Sequence, residues 1–371
     1  MEIVSNTQKL KEVLEYAERV VTRHLTLPIL NNFLLKTDKN GLTVSSTNLE
    51  IGVSSWFACK VVKEGEITVP AKIFYSIISS LGSDKVFLEI KKDNTLSITT
   101  DNYKASLKGE SAKDFPIIPK LKKDNKISVN SKIFCRSLSQ VVNFVSNSET
   151  RPEITGVLVS KEKDEKEIKV VATDSFRLGE KSIKTDESSK EFGFSVIIPS
   201  KTATEIIRIF SEMDGDLNLV IERNQISAEL NRTEIVSRLI EGNYPDYKRL
   251  IPSNFSMQAN IKKDEFLRTL KLVSLFSSRV NDIGIVFTKG KEPKMGVYAT
   301  DSDLGENRSE LDIEMTGEDM EIRFNWKYLA DGVSGMNSEI INLSFIDESK
   351  PCLIKSPQDN TFLYIVMPIR A

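Results

Sequence analysis

The sequence predicts an α+β protein made of three similar domains in tandem. A Thr-Asx pair closes an alternating apolar strand three times along the chain, as Thr47-Asn48, Thr173-Asp174 and Thr300-Asp301. Successive pairs are 126 and 127 residues apart. A repeat of that length indicates whole domains rather than short solenoid units.

Two further markers recur in the same order and at nearly the same interval. Downstream of each Thr-Asx pair an apolar strand runs into a helix start, at 67–70, 196–199 and 322–325. Each helix is followed by a strand with strict apolar alternation. The alternating positions are Val86, Leu88 and Ile90, then Leu217, Leu219 and Ile221, then Ile341, Leu343 and Phe345.

Chain length agrees with three domains. A chain of 371 residues is too long for a single hydrophobic core, and domains hold roughly 100–200 residues each. Polar, strand-poor linkers lie at 120–125 and 252–254. Phe115-Pro116 and Tyr244-Pro245 mark the ends of the first two copies. The predicted domains are 1–123, 124–252 and 253–371.

Each domain is expected to place two amphipathic helices on one face of antiparallel sheets. In the first domain the apolar spacing predicts helices at 7–20 and 71–80, and Asn40-Gly41 predicts a hairpin turn between two strands. The same spacing predicts helices at 131–145 and 200–211 in the second domain. A charged hairpin tip is expected at 161–166.

In the third domain helices are expected at 262–275 and 325–335, and the chain finishes on an apolar strand at 362–370. Pro368 cannot donate to a strand ladder, so this strand is expected to leave its sheet there. A strand so near the terminus frays unless something holds it. Alternatively, this strand belongs only to the core.

The sequence offers no catalytic constellation, metal site or cofactor motif. Cys59, Cys135 and Cys352 are few, odd in number and far apart, which indicates free thiols rather than a disulfide framework. His24 is the only histidine, so histidine metal clusters are excluded. Asp214 begins a segment that resembles a calcium loop, but it lacks the sixth-position glycine and the twelfth-position glutamate.

No apolar run approaches the roughly 20 residues that span a bilayer. The first residues lack the basic and apolar segments of a secretory signal. The sequence therefore predicts a cytoplasmic protein without a membrane partner.

The formal net charge of −2 conceals an uneven distribution. The six predicted helices hold 13 basic and 7 acidic residues, so the helices are positive and the rest of the chain is negative. If the helices share one surface, that surface attracts a polyanion. The alternative is that the lysines only solvate amphipathic helices.

Several ordered motifs resemble the bacterial sliding clamp, the β subunit of DNA polymerase III, over essentially the whole chain. They are the segments 23–31, 47–50, 68–71, 171–174, 177–178, 244–247 and 364–370. The resemblance implies the DNA-clamp fold and a head-to-tail homodimeric ring. Its twelve helices, at ~10 Å spacing, leave a hole of ~28 Å for double-stranded DNA.

In that family the ring is a processivity factor that has no catalytic site and tethers the replicative polymerase and other DNA-processing proteins to DNA. The resemblance also implies that the ring binds double-stranded DNA of any sequence. The carried-over DNA-contact positions are Arg23, Lys72, Lys201 and Arg208. Their position on helix faces adds Lys132 and Arg136. Where the ring closes, the resemblance implies that Lys104 and Ala105 of one copy meet Leu275 and Phe276 of the other.

The resemblance also implies a pocket for short linear peptides of the polymerase catalytic subunit and the clamp loader. The matching positions are Arg151, Ile154, Thr173, Ser175, Phe176, Arg177, Leu178, Pro245, Leu250, Ile365, Met367, Pro368, Ile369 and Arg370. Flexible apolar side chains with a few arginines suit such a cleft. Ser175-Phe176 stands where the family often has Gly-His, which predicts a narrower, more apolar pocket.

Two other functions compete with the clamp. One is a hydrolase that uses Asp174 and Arg177, and it lacks a partner base, a nucleophile and a metal cluster. The recurrence of the Thr-Asx pair instead favours a structural turn. The other is a monomeric three-domain peptide-binding scaffold that does not encircle DNA.

Overall fold

The computed structural model describes residues 1–22, 25–122, 125–148, 150–185 and 193–369. These residues form six α-helices, α1 Thr7–Glu18, α2 Ala71–Ser80, α3 Ser131–Val141, α4 Ser200–Phe210, α5 Lys263–Val273 and α6 Trp326–Ser334. All six predicted helices are confirmed. α3 and α5 end earlier than expected because 3₁₀ turns at Val142–Phe144 and Ser274–Phe276 follow them.

The first thirteen strands are β1 Glu2–Asn6, β2 Asn32–Thr37, β3 Gly41–Thr47, β4 Ile51–Ala58, β5 Lys60–Lys63, β6 Glu66–Pro70, β7 Lys85–Ile90, β8 Thr95–Thr99, β9 Lys104–Lys108, β10 Lys126–Asn130, β11 Gly156–Lys161, β12 Glu167–Thr173 and β13 Arg177–Lys184. The hairpin turn predicted at Asn40-Gly41 joins β2 to β3, and the Asp38 N–H donates to the Gly41 carbonyl at 3.1 Å.

The other thirteen strands are β14 Phe194–Pro199, β15 Asp216–Ile221, β16 Gln225–Leu230, β17 Thr233–Arg238, β18 Met257–Lys262, β19 Asp282–Thr288, β20 Lys294–Asp301, β21 Gly305–Asp312, β22 Glu314–Thr316, β23 Met320–Asn325, β24 Ile340–Phe345, β25 Cys352–Lys355 and β26 Phe362–Val366. The alternating apolar positions fall on β7, β15 and β24, where all but the half-buried Ile90 are buried. The predicted terminal strand is shorter than expected, since β26 ends two residues before Pro368.

The chain divides into two compact units. The first unit holds Met1–Cys135 and Glu205–Leu239, and the second holds Arg136–Thr204 and Ile240–Ala371. The units follow the sheets rather than the sequence repeat, so each takes part of the middle repeat. The domain boundaries predicted at 123 and 252 therefore stay a prediction.

In the first unit, an eight-stranded sheet has the order β10-β15-β16-β17-β4-β3-β2-β6, and a five-stranded sheet has the order β5-β1-β7-β8-β9. The larger sheet is continuous across two copies of the repeat, because β4 pairs antiparallel with β17 and Gly52 lies opposite Val236. A core cluster under α1 and α2 includes Leu10, Leu14 and Phe74.

The second unit repeats this plan. A nine-stranded sheet has the order β14-β11-β12-β13-β26-β25-β24-β18-β22, and a four-stranded sheet has the order β21-β20-β19-β23. The copies join where β13 pairs antiparallel with β26, which sets Leu178 opposite Ile365. At the start of α6 the Asn325 side chain accepts the Lys327 N–H at 3.0 Å, so Asn325 caps the helix.

The three cysteines are free, with Cys135 and Cys352 buried and Cys59 half-buried. Burial raises the pKa of the Cys135 thiol to about 11. Among the described residues no group of three or more His, Cys, Asp or Glu side chains could hold a metal ion. None of the described helices is long and apolar enough to cross a membrane.

Candidate functional site

The Thr-Asx pair in the middle of the chain builds a tight turn between β12 and β13. One carboxylate oxygen of Asp174 accepts the backbone N–H groups of Phe176 and Arg177, both at 2.9 Å. The Thr173 hydroxyl donates to the Arg177 carbonyl at 2.6 Å and accepts the Ser175 N–H at 3.1 Å. Ser175 sits at φ 78°, in the left-handed region that such turns use.

The other two copies of the pair form related turns. Asn48 Oδ1 accepts the N–H groups of Glu50 and Ile51 at 3.0 and 2.8 Å. Asp301 Oδ1 accepts those of Asp303 and Leu304 at 2.9 and 3.0 Å. The recurring Thr-Asx pair is therefore a turn signature, and in the middle copy Asp174 accepts the hydrogen bonds that define the turn.

Arg177 joins this turn to two other elements of the second unit. Its guanidinium donates to Asp174 at 2.9 Å, to Asp331 on α6 at 2.5 Å and to the Asn143 carbonyl at 3.0 Å. Its charged plane also lies over the Tyr328 ring, 4.5 Å from the centroid. Burial alone lowers the pKa of Arg177, but these acidic partners raise it overall. The group is thus a fixed cation with two carboxylates.

The end of the chain is held beside the same turn. Past β26, the Met367 N–H donates to the Phe176 carbonyl at 2.8 Å, which extends the pairing with β13 by one bond. Ile369 then donates to the carbonyl of Arg323 on β23, also at 2.8 Å. The segment leaves its own sheet around Pro368, as the missing N–H of that proline predicts.

Apolar residues pack beside the turn, some in a buried cluster and some at the surface. Leu178 and Ile365 belong to a buried cluster with Tyr247, and Tyr244 and Ile251 pack against its edge. At the surface, Leu250 and Phe176 are 56% and 60% exposed. The Phe176 ring stacks on Tyr328 with the centroids 6.5 Å apart.

Next to the aromatic stack is a cleft of about 640 Å³, lined by Asn143, Phe176, Arg177 and Tyr328 among others. Its remaining walls are mostly small polar groups from the 146–148 loop and the start of α4. The cleft therefore has an aromatic edge, one fixed cation and many hydrogen-bonding groups. Such a mixture suits a polypeptide better than a purely apolar ligand.

The structure brings most of the predicted pocket positions to this region, at different depths. Arg177, Pro245, Met367, Pro368 and Ile369 are half-buried, while Arg151, Ser175, Phe176 and Leu250 are exposed. Arg151 reaches the turn, since its guanidinium donates to the Ser175 hydroxyl at 3.2 Å. Thr173, Leu178, Ile365 and Ile154 are buried. Arg370 lies outside the described residues.

Three residues of this region were not anticipated from the sequence. Tyr328 and Asp331 come from α6, about 150 positions after the turn, and Asn143 contributes only a backbone carbonyl. Tyr328 precedes Asp331 by three positions, which places both side chains on one face of a helix. That spacing was the only available signal, and it is common in helices.

The predicted DNA-contact positions are exposed wherever the structure describes them. They are Lys72 on α2, Lys132 and Arg136 on α3, and Lys201 and Arg208 on α4. Two of them make ion pairs, Lys132 with the exposed Asp214 at 2.6 Å and Arg208 with the largely buried Glu205 at 3.0 Å. Arg23 falls outside the described residues.

The predicted ring-closing residues lie on or beside sheet edges. Lys104 and Ala105 are on β9, the last strand of the five-stranded sheet. Leu275 and Phe276 are in the 3₁₀ turn after α5, and this turn packs beside β21 at the edge of the four-stranded sheet. Leu275 is 66% exposed.

Comparison with known proteins gives matches along nearly the whole chain. Three family models of the DNA polymerase III β subunit match, the N-terminal domain over residues 1–119, the central domain over 128–246 and the C-terminal domain over 248–370. The beta sliding clamp of Streptococcus pneumoniae is 27% identical over 370 residues, covering 97% of this chain and 96% of that relative.

The beta sliding clamp of Staphylococcus epidermidis is 26% identical over 363 residues, covering 95% of this chain and 94% of that relative. Among solved structures, the DNA polymerase sliding clamp of Bacillus subtilis superposes with a TM-score of 0.95 at 25% identity, covering 100% of this chain and 99% of that one. The predicted three-domain α+β clamp fold is confirmed, and the chain belongs to the family of bacterial sliding clamps, the β subunits of DNA polymerase III.

Proposed function

We propose that two copies of this chain close head to tail into a ring that encircles double-stranded DNA without reading its sequence. The ring tethers the replicative polymerase and other DNA-processing proteins through their short linear peptides. It contributes topology and binding surfaces, with no catalysis or cofactor of its own.

The observation that carries the ring is a pair of strands left at sheet edges. Within one unit β4 pairs with β17, and within the other β13 pairs with β26. In the repeat, β21 corresponds to β4 and β13, and β9 corresponds to β17 and β26. Yet within the described part of the chain β21 pairs with β20 alone and β9 with β8 alone. Joining β21 of one copy to β9 of another supplies the missing third junction, and two such junctions close a ring.

Charge on the two edges supports this pairing. The exposed positions of β9 include Lys104 and Lys108. Those of β21 include Glu306, Glu310 and Asp312, with Arg308 as the only base on that strand. Exposed edges otherwise invite unwanted strand addition, so opposite charge on the two edges selects the correct partner.

The exposed basic positions on α2, α3 and α4 supply a diffuse attraction for DNA phosphates. The ion pairs of Lys132 and Arg208 do not prevent this, because both cationic side chains remain about half exposed to solvent. Such an attraction holds DNA in any register and weakens as salt increases. Retention on DNA then depends on the closed ring and not on base contacts.

The partner peptide is proposed to bind along the 173–178 turn and the 365–369 segment. Leu178 and Ile365 form an apolar floor, and Leu250, Phe176 and Met367 offer apolar contacts near the surface. A peptide with two or three apolar side chains fits this arrangement, with a micromolar affinity of roughly −8 kcal/mol. The finer partner assignment is to the polymerase catalytic subunit and the clamp loader.

The competing proposal is a monomeric peptide-binding scaffold that does not encircle DNA. Among the described strands, a monomer would leave one edge of β9 and one edge of β21 unpaired. Light scattering distinguishes the two, because the ring requires twice the chain mass of 41.8 kDa. A single-chain mass at micromolar concentration would eliminate the ring.

The test of encirclement uses DNA topology. The protein is loaded onto nicked circular plasmid by its clamp loader with ATP, and half of the sample is then linearised. Loaded protein is expected to stay on the circle during gel filtration and to leave the linear form. Equal loss from both forms would contradict encirclement, whatever the affinity of the protein for DNA.

A further inference from the structure

We propose that Leu304 of one copy packs on Ile73 of the next copy and forms the apolar centre of the ring junction. The contact takes the place that Arg177 and Tyr328 occupy together in the second unit. The proposal rests on the proposed function, because it assigns side chains to the junction through which two copies would close the ring.

Leu304 occupies the turn position of Arg177. Each follows the threonine of its Thr-Asx pair by four positions. The N–H of each is accepted by the Asx carboxylate of the same turn, at 2.9 Å for Arg177 and at 3.0 Å for Leu304. Arg177 is half-buried, whereas Leu304 is 68% exposed. The two side chains therefore leave equivalent turns, and that of Leu304 faces solvent in the single chain.

Strand register extends the correspondence to the other side of the junction. From the alternating position Leu343 on β24, two antiparallel pairing steps lead to Tyr364 on β26. From the matching Leu88 on β7, two steps of the same kind lead to Ala105 on β9. Tyr364 and Ala105 are therefore equivalent positions.

Two further hydrogen bonds agree with this register. The Glu110 N–H donates to the Thr68 carbonyl at 2.9 Å, and the Ile369 N–H donates to the Arg323 carbonyl at 2.8 Å. In both copies the donor stands five positions after the strand residue just named, and the acceptor stands three positions before the start of the helix. The strand and the helix of the two copies are thus aligned independently of each other.

On the helix side, Ile73 matches Tyr328, since each is the third residue of its helix. In the second unit the Arg177 guanidinium lies 4.5 Å from the centroid of the Tyr328 ring. Ile73 is apolar and 54% exposed. Both equivalents of that contacting pair are therefore exposed apolar side chains, and a neighbouring copy brings them together.

An exchange of bulk supports the same match. In the second unit Gly332 leaves room for the large Tyr364, whose ring lies 2.2 Å from where a Cβ would be. Ile77 is the seventh residue of α2, as Gly332 is of α6. In the first unit the helix residue is therefore the large one and Ala105 the small one. Both Ile77 and Ala105 are half-buried against the same core cluster.

Two polar partners of Arg177 have less polar counterparts at the ring junction. Asp331, its ion-pair partner on α6, matches Ser76 on α2. Asn143, whose carbonyl accepts from the guanidinium, matches the 66% exposed Leu275. An arginine would find neither partner at the ring junction, whereas a leucine gains apolar neighbours.

The register within the second unit also predicts the strand pairing between copies. Gly179 lies opposite Tyr364 across β13 and β26. Glu306 follows its Thr-Asx threonine by six positions, as Gly179 does. Glu306 of one copy should therefore lie opposite Ala105 of the next copy.

The side-chain contact is tested by the dissociation constant of the full-length dimer, measured by analytical ultracentrifugation over a dilution series. Leu304→Ala and Ile73→Ala should each raise this constant about tenfold or more. Because both changes remove one contact, the double variant should stay close to the weaker single variant. Val62→Ala, at a 56% exposed apolar residue of β5, is the matched control and should have no effect. Additive losses, or unchanged constants, overturn the contact.

The register is tested by disulfide formation on oxidation. Glu306→Cys combined with Ala105→Cys should give a covalent dimer, because directly opposite Cα atoms lie about 4.5–5.5 Å apart. Glu306→Cys combined with Lys104→Cys is the control, since a slip of one residue turns that side chain to the other face. Glu306→Cys alone detects links through the three native thiols. More covalent dimer from either control than from the matched pair overturns the register and the contact built on it.

The mass of the unmodified protein separates this proposal from the ring itself. A single-chain mass at micromolar concentration contradicts the ring and the contact together. A dimer mass with unchanged dissociation constants in the alanine variants and no disulfide in the matched pair overturns the contact alone. The ring then stands or falls by the plasmid experiment.

Discussion

Gly332 on α6 is expected to be intolerant of even one methyl group. A Cβ built there lies 2.2 Å from the ring of Tyr364, whereas one at Gly335, at the end of the same helix, has its nearest neighbour at 3.7 Å. Tyr364 is fully buried and cannot simply move aside. Its hydroxyl donates to the Tyr328 carbonyl at 2.8 Å, and its ring packs 4.9 Å from that of Phe144.

The magnitude follows from three contributions. Overpacking costs about 1–3 kcal/mol, and loss of the tyrosine hydrogen bond costs about 1 kcal/mol. Replacing glycine by alanine in a helix returns about 1 kcal/mol. Gly332→Ala should therefore lower the free energy of unfolding by about 1–3 kcal/mol. At Gly335 φ is −71°, which alanine adopts without strain. Gly335→Ala should therefore leave the free energy of unfolding unchanged or raise it by up to about 1 kcal/mol.

Scanning calorimetry of the two variants tests this difference. For units of 150–250 residues, each kcal/mol shifts Tm by roughly 2–4 °C, so Gly332→Ala should melt several degrees below Gly335→Ala. Peptide binding by fluorescence polarisation should weaken in parallel, because Tyr364 lies on β26, which leads into the proposed pocket. If Gly332→Ala melts at or above Gly335→Ala, the packing argument around Tyr364 is wrong.

Three other perturbations test the proposed surfaces. Reversing Lys72, Arg136 and Lys201 to glutamate should reduce loading onto DNA and flatten its salt dependence, with light-scattering mass unchanged. Arg177→Met removes the cation but leaves Asp174 and Asp331 facing each other. It should therefore lower the free energy of unfolding and the Tm. Because the Asp331 side chain is 49% exposed, we expect a loss below the about 3–5 kcal/mol that is typical of a fully buried pair. Deleting residues 367–371 should abolish polymerase-peptide binding in fluorescence polarisation while the dimer mass persists.

Each of these has a control or an excluding outcome. The control for the charge reversals is the same change to glutamate at three exposed lysines outside the helices, Lys39, Lys85 and Lys289. Equal loss of loading in both variants would show a general effect of net charge. Arg177→Met with an unchanged Tm would mean that its ion pairs contribute nothing. Unchanged peptide affinity after the deletion would mean that the pocket lies elsewhere.

Local patterns predicted the helices and the turns well because their causes are local. Leu10, Leu14 and Ala17 fall on one face of α1 at helical spacing, and all three are buried. The Thr-Asx pairs fold alike because their bonds reach only two to four residues along the chain. The repeat itself was evident from these pairs, since a recurring turn leaves the same residues at the same interval.

The joining of strands between copies was not predicted, because it depends on partners far apart in sequence. Val236 meets Gly52 across β17 and β4, and nothing in either strand encodes that distance. The contacts of Arg177 with Asp331 and Tyr328 were missed for the same reason. The depth of each pocket residue was not predicted either. The resemblance placed Ile154 in the pocket, but only 2% of this residue is exposed.

One backbone arrangement supports different surfaces because its hydrogen bonds use main-chain atoms and the Thr-Asx side chains alone. At corresponding positions the first unit has Glu50, Gly52 and Arg238, where the second has Phe176, Leu178 and Met367. None of the six side chains makes the bonds that define the turn and its edge. These positions can therefore change between copies without disturbing the fold, so binding preference is set by them and the geometry by the repeat.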